Sequence, residues 1–207
     1  ENIYNIPVYF ASDWLNEYCL DTHKEDYMFI YLGPKGSWTP FHADVFSSFS
    51  WSVNIIGQKR WLLFPPGTEI SLTDNLGNLP FDVTENEILL KNKIPFYEIY
   101  QNPGEALFVP SKWHHQVWNS KDTFSINHNW INGCNIHTVF EAMVCALTDI
   151  KKEISDCKDM DSFENHCQLM LNAMFGMNFQ EFFNILYHIS LKRINKIVNN
   201  DSIILFR

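Results

Sequence analysis

The sequence predicts a β sandwich or barrel followed by a helical bundle, on three observations. From Tyr27 to about Trp130, short β-type runs alternate with Gly- and Pro-containing breaks, the pattern of an all-β domain. From about Asn135 onward the apolar period becomes that of a helix. The 207 residues also include 17 Phe, 8 Tyr and 7 Trp but only 8 Gly, a load of large apolar side chains that excludes disorder. A chain of this length is one domain, or one domain with an appendage.

In chain order, residues 12–20 (SDWLNEYCL) form a short capped helix ahead of the first strand. Strand-like runs follow at YMFIYLG (27–33), WTPFHADV (38–45), FSWSVNII (49–56), KRWLLFPP (59–66), FYEIYQ (96–101), EALFVP (105–110) and TFSINHNW (123–130), each rich in aromatic and β-branched residues. Gly57-Gln58 and Asn102-Pro103-Gly104 read as tight turns joining adjacent strands. The polar stretch from Pro65 to about Lys93 reads as a surface excursion, long enough to suggest a lid or binding loop. In the tail, Phe163, Cys167, Met170, Leu171 and Met174 recur at helix spacing behind an Asp161/Glu164 capping box. Asn178/Glu181 repeats that box ahead of Phe179, Phe182, Phe183, Leu186 and Ile189. The expected division is a barrel over 1–133 and a helical region over 134–207 packed on it, whose stripes either close the core or form a homodimer face.

Charge and cysteine usage remove several function classes. With 15 Lys and Arg against 24 Asp and Glu the net charge is −9, which argues against nucleic-acid binding because phosphate contacts need a basic face. The five cysteines are odd in number and form no CxxC pair, so neither a disulfide framework nor a zinc knuckle is expected, and a cytoplasmic or nuclear setting is. No apolar run approaches the roughly 18 residues of a membrane span, and no signal pattern opens the sequence. Residue 1 is Glu and not Met, so the chain reads as an excerpt of a longer one.

Chemistry concentrates in two segments. In His42-Ala43-Asp44, residues i and i+2 of an extended run put an imidazole and a carboxylate on one face. A second such pair, His23-Lys24-Glu25, lies in the charged run DTHKED and reads as a solvated loop. About seventy residues after the first pair, VPSKWHHQVWN (109–119) brings two adjacent histidines into another strand; parity places His114 and His115 on opposite faces. Two imidazoles and one carboxylate make the facial set of nonheme Fe(II) oxygenases, with three adjacent positions open. Histidines that only cap polar ends of a barrel core are the competing explanation. In TFSINHNW, Ser125, Asn127 and Asn129 share one face and suit a wet interior, while Phe124, Ile126, His128 and Trp130 share the other.

Over Tyr27–Trp130 the sequence resembles the JmjC family of 2-oxoglutarate-dependent oxygenases, on GSWTPFHADVFSSFSWSVNIIGQKRWLLFPPG (36–67) and PGEALFVPSKWHHQVWNSKDTFSINHNWING (103–133). Within it, the chain looks most like the lysyl hydroxylases that act on the translation termination (release) factor. The resemblance implies a double-stranded β-helix with jelly-roll, cupin-like winding. It places the metal ligands at His42, Asp44 and, five residues after Pro110, His115. It puts the cosubstrate lysine at Lys59, a hydroxyl sharing the same carboxylate at Thr39, and polar neighbours at Asn54, Asn127, Asn129 and Tyr31. Physically, the distal carboxylate of 2-oxoglutarate wants a buried cation, and a lysine otherwise sits poorly at the head of KRWLLFPP. The implied cofactor and cosubstrates are Fe(II), 2-oxoglutarate and O2, and the implied partner is a protein, neither nucleic acid nor membrane. An N-methyl demethylase and a silent interaction module are the rival readings.

Overall fold

The computed structural model describes residues 4–23, 28–85 and 94–199. Backbone proximity divides the chain into a barrel unit, 26–130, and a helical unit formed by 1–25 with 131–207. The described residues ahead of the first strand, 4–23, thus fall in the helical unit, where the sequence division had set them with the barrel.

The barrel has eight strands: β1 (Met28–Gly33), β2 (Trp38–His42), β3 (Phe49–Ile56), β4 (Lys59–Phe64), β5 (Tyr97–Gln101), β6 (Ala106–Val109), β7 (His114–Asn119) and β8 (Thr123–Trp130). They form two four-stranded antiparallel sheets, a first of order β1-β8-β3-β6 and a second of order β2-β7-β4-β5. Consecutive strands alternate between the sheets except β4 and β5, which pair; this is the expected jelly-roll winding. The two tight turns are present, but each carries the chain from one sheet to the other. Gly57 has φ +84°, and a Cβ there would lie 2.0 Å from the Asp122 carbonyl oxygen, so the crossing requires glycine.

Alternation along β4 explains the two apolar clusters. Trp61 and Leu63 point inward and pack with Val109 and Val117. Leu62 and Phe64 point the other way and join Phe41, Leu72, Val83 and Ile94. Leu72 and Val83 come from the 65–93 excursion, in 3-10 turns at Glu69–Leu72 and Val83–Glu85. They are 1% and 0% exposed, and the Val83 amide donates to Gln116 Oε1 at 2.8 Å. The described part of the excursion is thus an outer wall of the second sheet, not a free lid; 86–93 lie outside the described residues.

In the helical unit, α1 (Trp14–Thr22) starts at Asp13, whose side chain accepts from the Asn16 amide. The others are α2 (Ile136–Glu153), α3 (Phe163–Phe175) and α4 (Phe179–Val198). Asn178 caps α4 by accepting from the Glu181 amide at 2.9 Å, as the sequence indicates. The Asp161 box does not form: the cap position is Ser162, at φ 64° and without a side-chain cap bond, and Glu164 pairs with Lys151 of α2. Cys167 and Leu171 are buried while Met174 and Phe183 are exposed, so the inward stripe is narrower than the predicted one. Among the described residues no helix is long and apolar enough to cross a membrane.

Candidate active site

Strands β2 and β7 are neighbours in the second sheet, and their register sets His42 opposite His115, with ring centroids 4.4 Å apart. Strand β2 ends at His42, so Asp44 lies just past it, but its backbone is still extended (φ −62°, ψ 147°). The i, i+2 geometry therefore survives, and one ligand atom each from His42, Asp44 and His115 lie within 4.8 Å of one another. His42 Nδ1 contacts the Pro40 carbonyl at 2.7 Å and His115 Nδ1 the Trp113 carbonyl at 3.2 Å. A carbonyl oxygen can only accept, so both Nδ1 atoms carry the proton and both Nε2 lone pairs are left for a ligand. Burial, above all, pushes the His115 imidazole below its usual pKa, which favours the neutral, ligating form. His114 faces away, tilted against the Phe41 ring at 5.4 Å and 3.8 Å from a Glu69 oxygen.

The second sheet meets the interior in three rows. His115 and Leu63 form one with His42, Val117 and Trp61 one with Thr39, and Asn119 one with Lys59. Thr39 and His42 are three residues apart, which in a regular strand would put them on opposite faces. A register irregularity between them brings both inward. The first sheet answers with Asn129 beside Ser50, Asn127 beside Ser52 and Ser125 beside Asn54. Ser52 Oγ donates to Asn127 Oδ1, and Asn129 Nδ2 donates to Ser48 Oγ, each at 3.0 Å.

Between the sheets is a cavity of about 440 Å³ whose lining includes Tyr31, Thr39, His42, Asp44, Lys59, His115, Asn127 and Asn129. Lys59 is 5% exposed. Its ammonium lies 5.4 Å from the centroid of the Tyr31 ring and 6.0 Å from that of Trp61, and no carboxylate pairs with it among the described residues. Burial lowers its pKa to about 8. Tyr31 shifts the other way, raised by burial and then by the Asp44 charge. Thr39 Oγ1 is buried with no hydrogen-bond partner among the described residues. A buried cation and an unused hydroxyl in one cavity are costly unless an anion meets them.

The donor set fits iron: two neutral imidazoles and one carboxylate, with no thiolate. Lys59 and Thr39 fit the far carboxylate of a dicarboxylic acid. Asn54 departs from the expected set. It does not line the cavity; its Nδ2 donates to the carbonyls of Gly57 and Gln101, its own carbonyl accepts from Gly104 N, and its amide donates to the Glu105 carbonyl. Asn54 thus fastens both sheet-crossing turns. Sequence reasoning missed Ser50, whose Oγ donates to Asp44 Oδ2 at 2.6 Å. The alternating polar row Ser48, Ser50, Ser52, Asn54 was the available signal.

A family model described as JmjC domain, hydroxylase, matches residues 29–130, nearly the same limits as the barrel unit. The chain belongs to the JmjC domain family. It is 54% identical over 193 residues to the Drosophila melanogaster protein named 2-oxoglutarate and iron-dependent oxygenase JMJD4 homolog, covering 93% of this chain and 45% of that one. Over 202 residues it is 50% identical to the Mus musculus 2-oxoglutarate and iron-dependent oxygenase JMJD4, covering 94% and 47%. The Arabidopsis thaliana arginine-specific demethylase JMJ20 is 42% identical over 210 residues, covering 91% and 45%. The chain thus spans about half the length of the curated relatives it matches. The JmjC match accounts for the barrel, and the identities to longer relatives extend through most of the helical unit as well.

Proposed function

We propose that this JmjC domain is the catalytic part of an Fe(II)- and 2-oxoglutarate-dependent protein hydroxylase that acts on a lysine side-chain carbon of the translation termination (release) factor. The observation that carries the oxygenase reading is one cavity holding both the His42, Asp44, His115 cluster and a buried Lys59 with no carboxylate partner among the described residues. The names of the fly and mouse relatives support the same class. The choice of release factor rests on the resemblance to that lysyl hydroxylase branch, and implies action in the cytoplasm.

In this reading His42, Asp44 and His115 hold the iron, while Lys59 and Thr39 hold the distal carboxylate of 2-oxoglutarate. Bound iron and 2-oxoglutarate supply the oxidising power: O2 gives one atom to the succinate formed with CO2, and the other to a substrate C–H bond. Asn127, Asn129 and Tyr31 flank the cosubstrate with neutral polar groups. Trp61, Val117 and Phe29 in the lining keep water from the reacting carbon. The exposed Phe183, Tyr187, Leu191 and Ile194 of α4 support a homodimer through the C-terminal helices, which sedimentation would test.

The test is mass spectrometry of the release factor after incubation with iron-loaded protein, 2-oxoglutarate and O2. A gain of one oxygen atom on a lysine is expected; an unchanged mass rejects this substrate. The Arabidopsis relative's name favours a second reading, removal of an N-methyl group. A methylated peptide losing its methyl as formaldehyde, with no oxygen retained, would select it.

A further inference from the structure

The three clustered side chains are not held alike. His42 and His115 occupy neighbouring strands, and each donates Nδ1–H to a carbonyl two residues earlier. Asp44 sits beyond the end of β2, ahead of Phe46 and Ser47, whose φ values of 61° and 48° take the chain out of any ladder. Its carboxylate is tied to the opposite sheet, because Ser50 on β3 donates to Oδ2 at 2.6 Å. The other end of the same loop is tied there too, where Ser48 accepts from Asn129. Ser50 is 8% exposed, so water competes little for this charge-assisted bond.

We propose that Ser50 is the positioning residue of the metal site, fixing the Asp44 carboxylate so that only Oδ1 is presented to the metal. A carboxylate with both oxygens free can bind in bidentate fashion, occupying a coordination position that a chelating 2-oxo acid needs. Ser50 prevents this by holding Oδ2. It also links the two sheets: the imidazoles are set by the second sheet and the carboxylate by the first. The inference rests on the metal-site reading given above.

Co(II) alone, titrated into the whole chain and followed by its visible absorption bands, is the test. The wild-type chain is expected to give a defined band pattern. Ser50→Ala is expected to bind Co(II) about 10–100-fold more weakly, the usual cost of losing a hydrogen bond to a metal ligand, with shifted bands. Ser50→Thr keeps the hydroxyl and is expected to restore both. If Ser50→Ala lowers only the metal-free thermal midpoint and leaves Co(II) affinity and bands unchanged, Ser50 is merely structural and the inference fails. If Ser50→Ala does not fold, Ser50→Thr against Ser50→Val, the same shape without the hydroxyl, decides; equal affinities and bands in that pair overturn it. A wild-type chain that binds no Co(II) overturns the metal-site reading itself, and the role of Ser50 with it.

Discussion

The two sheets of the barrel face the same cavity with different chemistry. The second sheet presents the ionisable side chains His42, His115 and Lys59 to the cavity, and its outer face, carrying Leu62 and Phe64, is covered by Leu72 and Val83. The first presents Ser50, Ser52, Asn127 and Asn129, neutral groups that bond to one another and to Asp44. Charges are dear to bury, and a wall packed on its far side holds them with little freedom. Neutral amides and hydroxyls cost less and can orient what the charged wall binds. In the proposed site, one sheet would supply the metal-binding and charged groups, and the other would orient them.

Variants that cross this division should differ in size of effect. The largest belongs to the second sheet: His115→Ala should abolish metal binding while His114→Ala retains it, read by Co(II) titration. The reverse result would reassign the ligand. Next, Phe64→Ala, 0% exposed in the native state, should cost about 3–5 kcal/mol by chemical denaturation. A loss below 1 kcal/mol would mean the outer wall does not brace the sheet.

Lys59→Ala should raise the 2-oxoglutarate concentration required by roughly 30-fold or more, since breaking a buried charge pair costs about 2 kcal/mol or more. Because burial holds the Lys59 pKa near 8, the ammonium is charged below that pH and loses its proton above it. Cosubstrate affinity should therefore fall from pH 7 to 9 in the wild type, and much less in the alanine variant. Equal pH slopes would remove Lys59 from the carboxylate site. On the first sheet, Ser52→Ala should cost only about 1 kcal/mol of stability, the worth of one hydrogen bond to Asn127. It should leave metal affinity unchanged; a large loss there would erase the contrast between the sheets.

Period-two parity explains what the sequence revealed. It separated His114 from His115 and put Asn127 and Asn129 on one face, because those decisions need only alternation along a strand. It gives the face but not the depth, so Asn54 looked like a cavity residue although its amide holds two turns. Parity alone would also have rejected Thr39 as a neighbour of His42; the irregularity in β2 that reconciles them spans Pro40, and a proline inside a strand was its one local sign. Leu72 and Val83 were hidden for another reason. Isolated apolar residues in a polar stretch carry no period, and only the outer face of β4, Leu62 and Phe64, which they cover, gives them a role. Asp161 is not a cap because the helix begins at Phe163, one residue later than its box requires, with Ser162 at the cap position in a left-handed conformation; the Glu164 side chain pairs instead with Lys151.

The adjacent histidines at the start of β7 have a consequence for folding fidelity. Opposite His42 stands His115, and a pairing one residue out of step would turn every side chain of β7 to the other face, His115 outward and His114 inward beside His42. The doublet would keep an imidazole opposite β2 in either alignment, so the histidines by themselves do not distinguish the two. The rest of the strand does: a slip would take Val117 away from Trp61 and Leu63 and Gln116 away from the Val83 amide, so the alignment that builds the site is chosen by packing on both faces of β7.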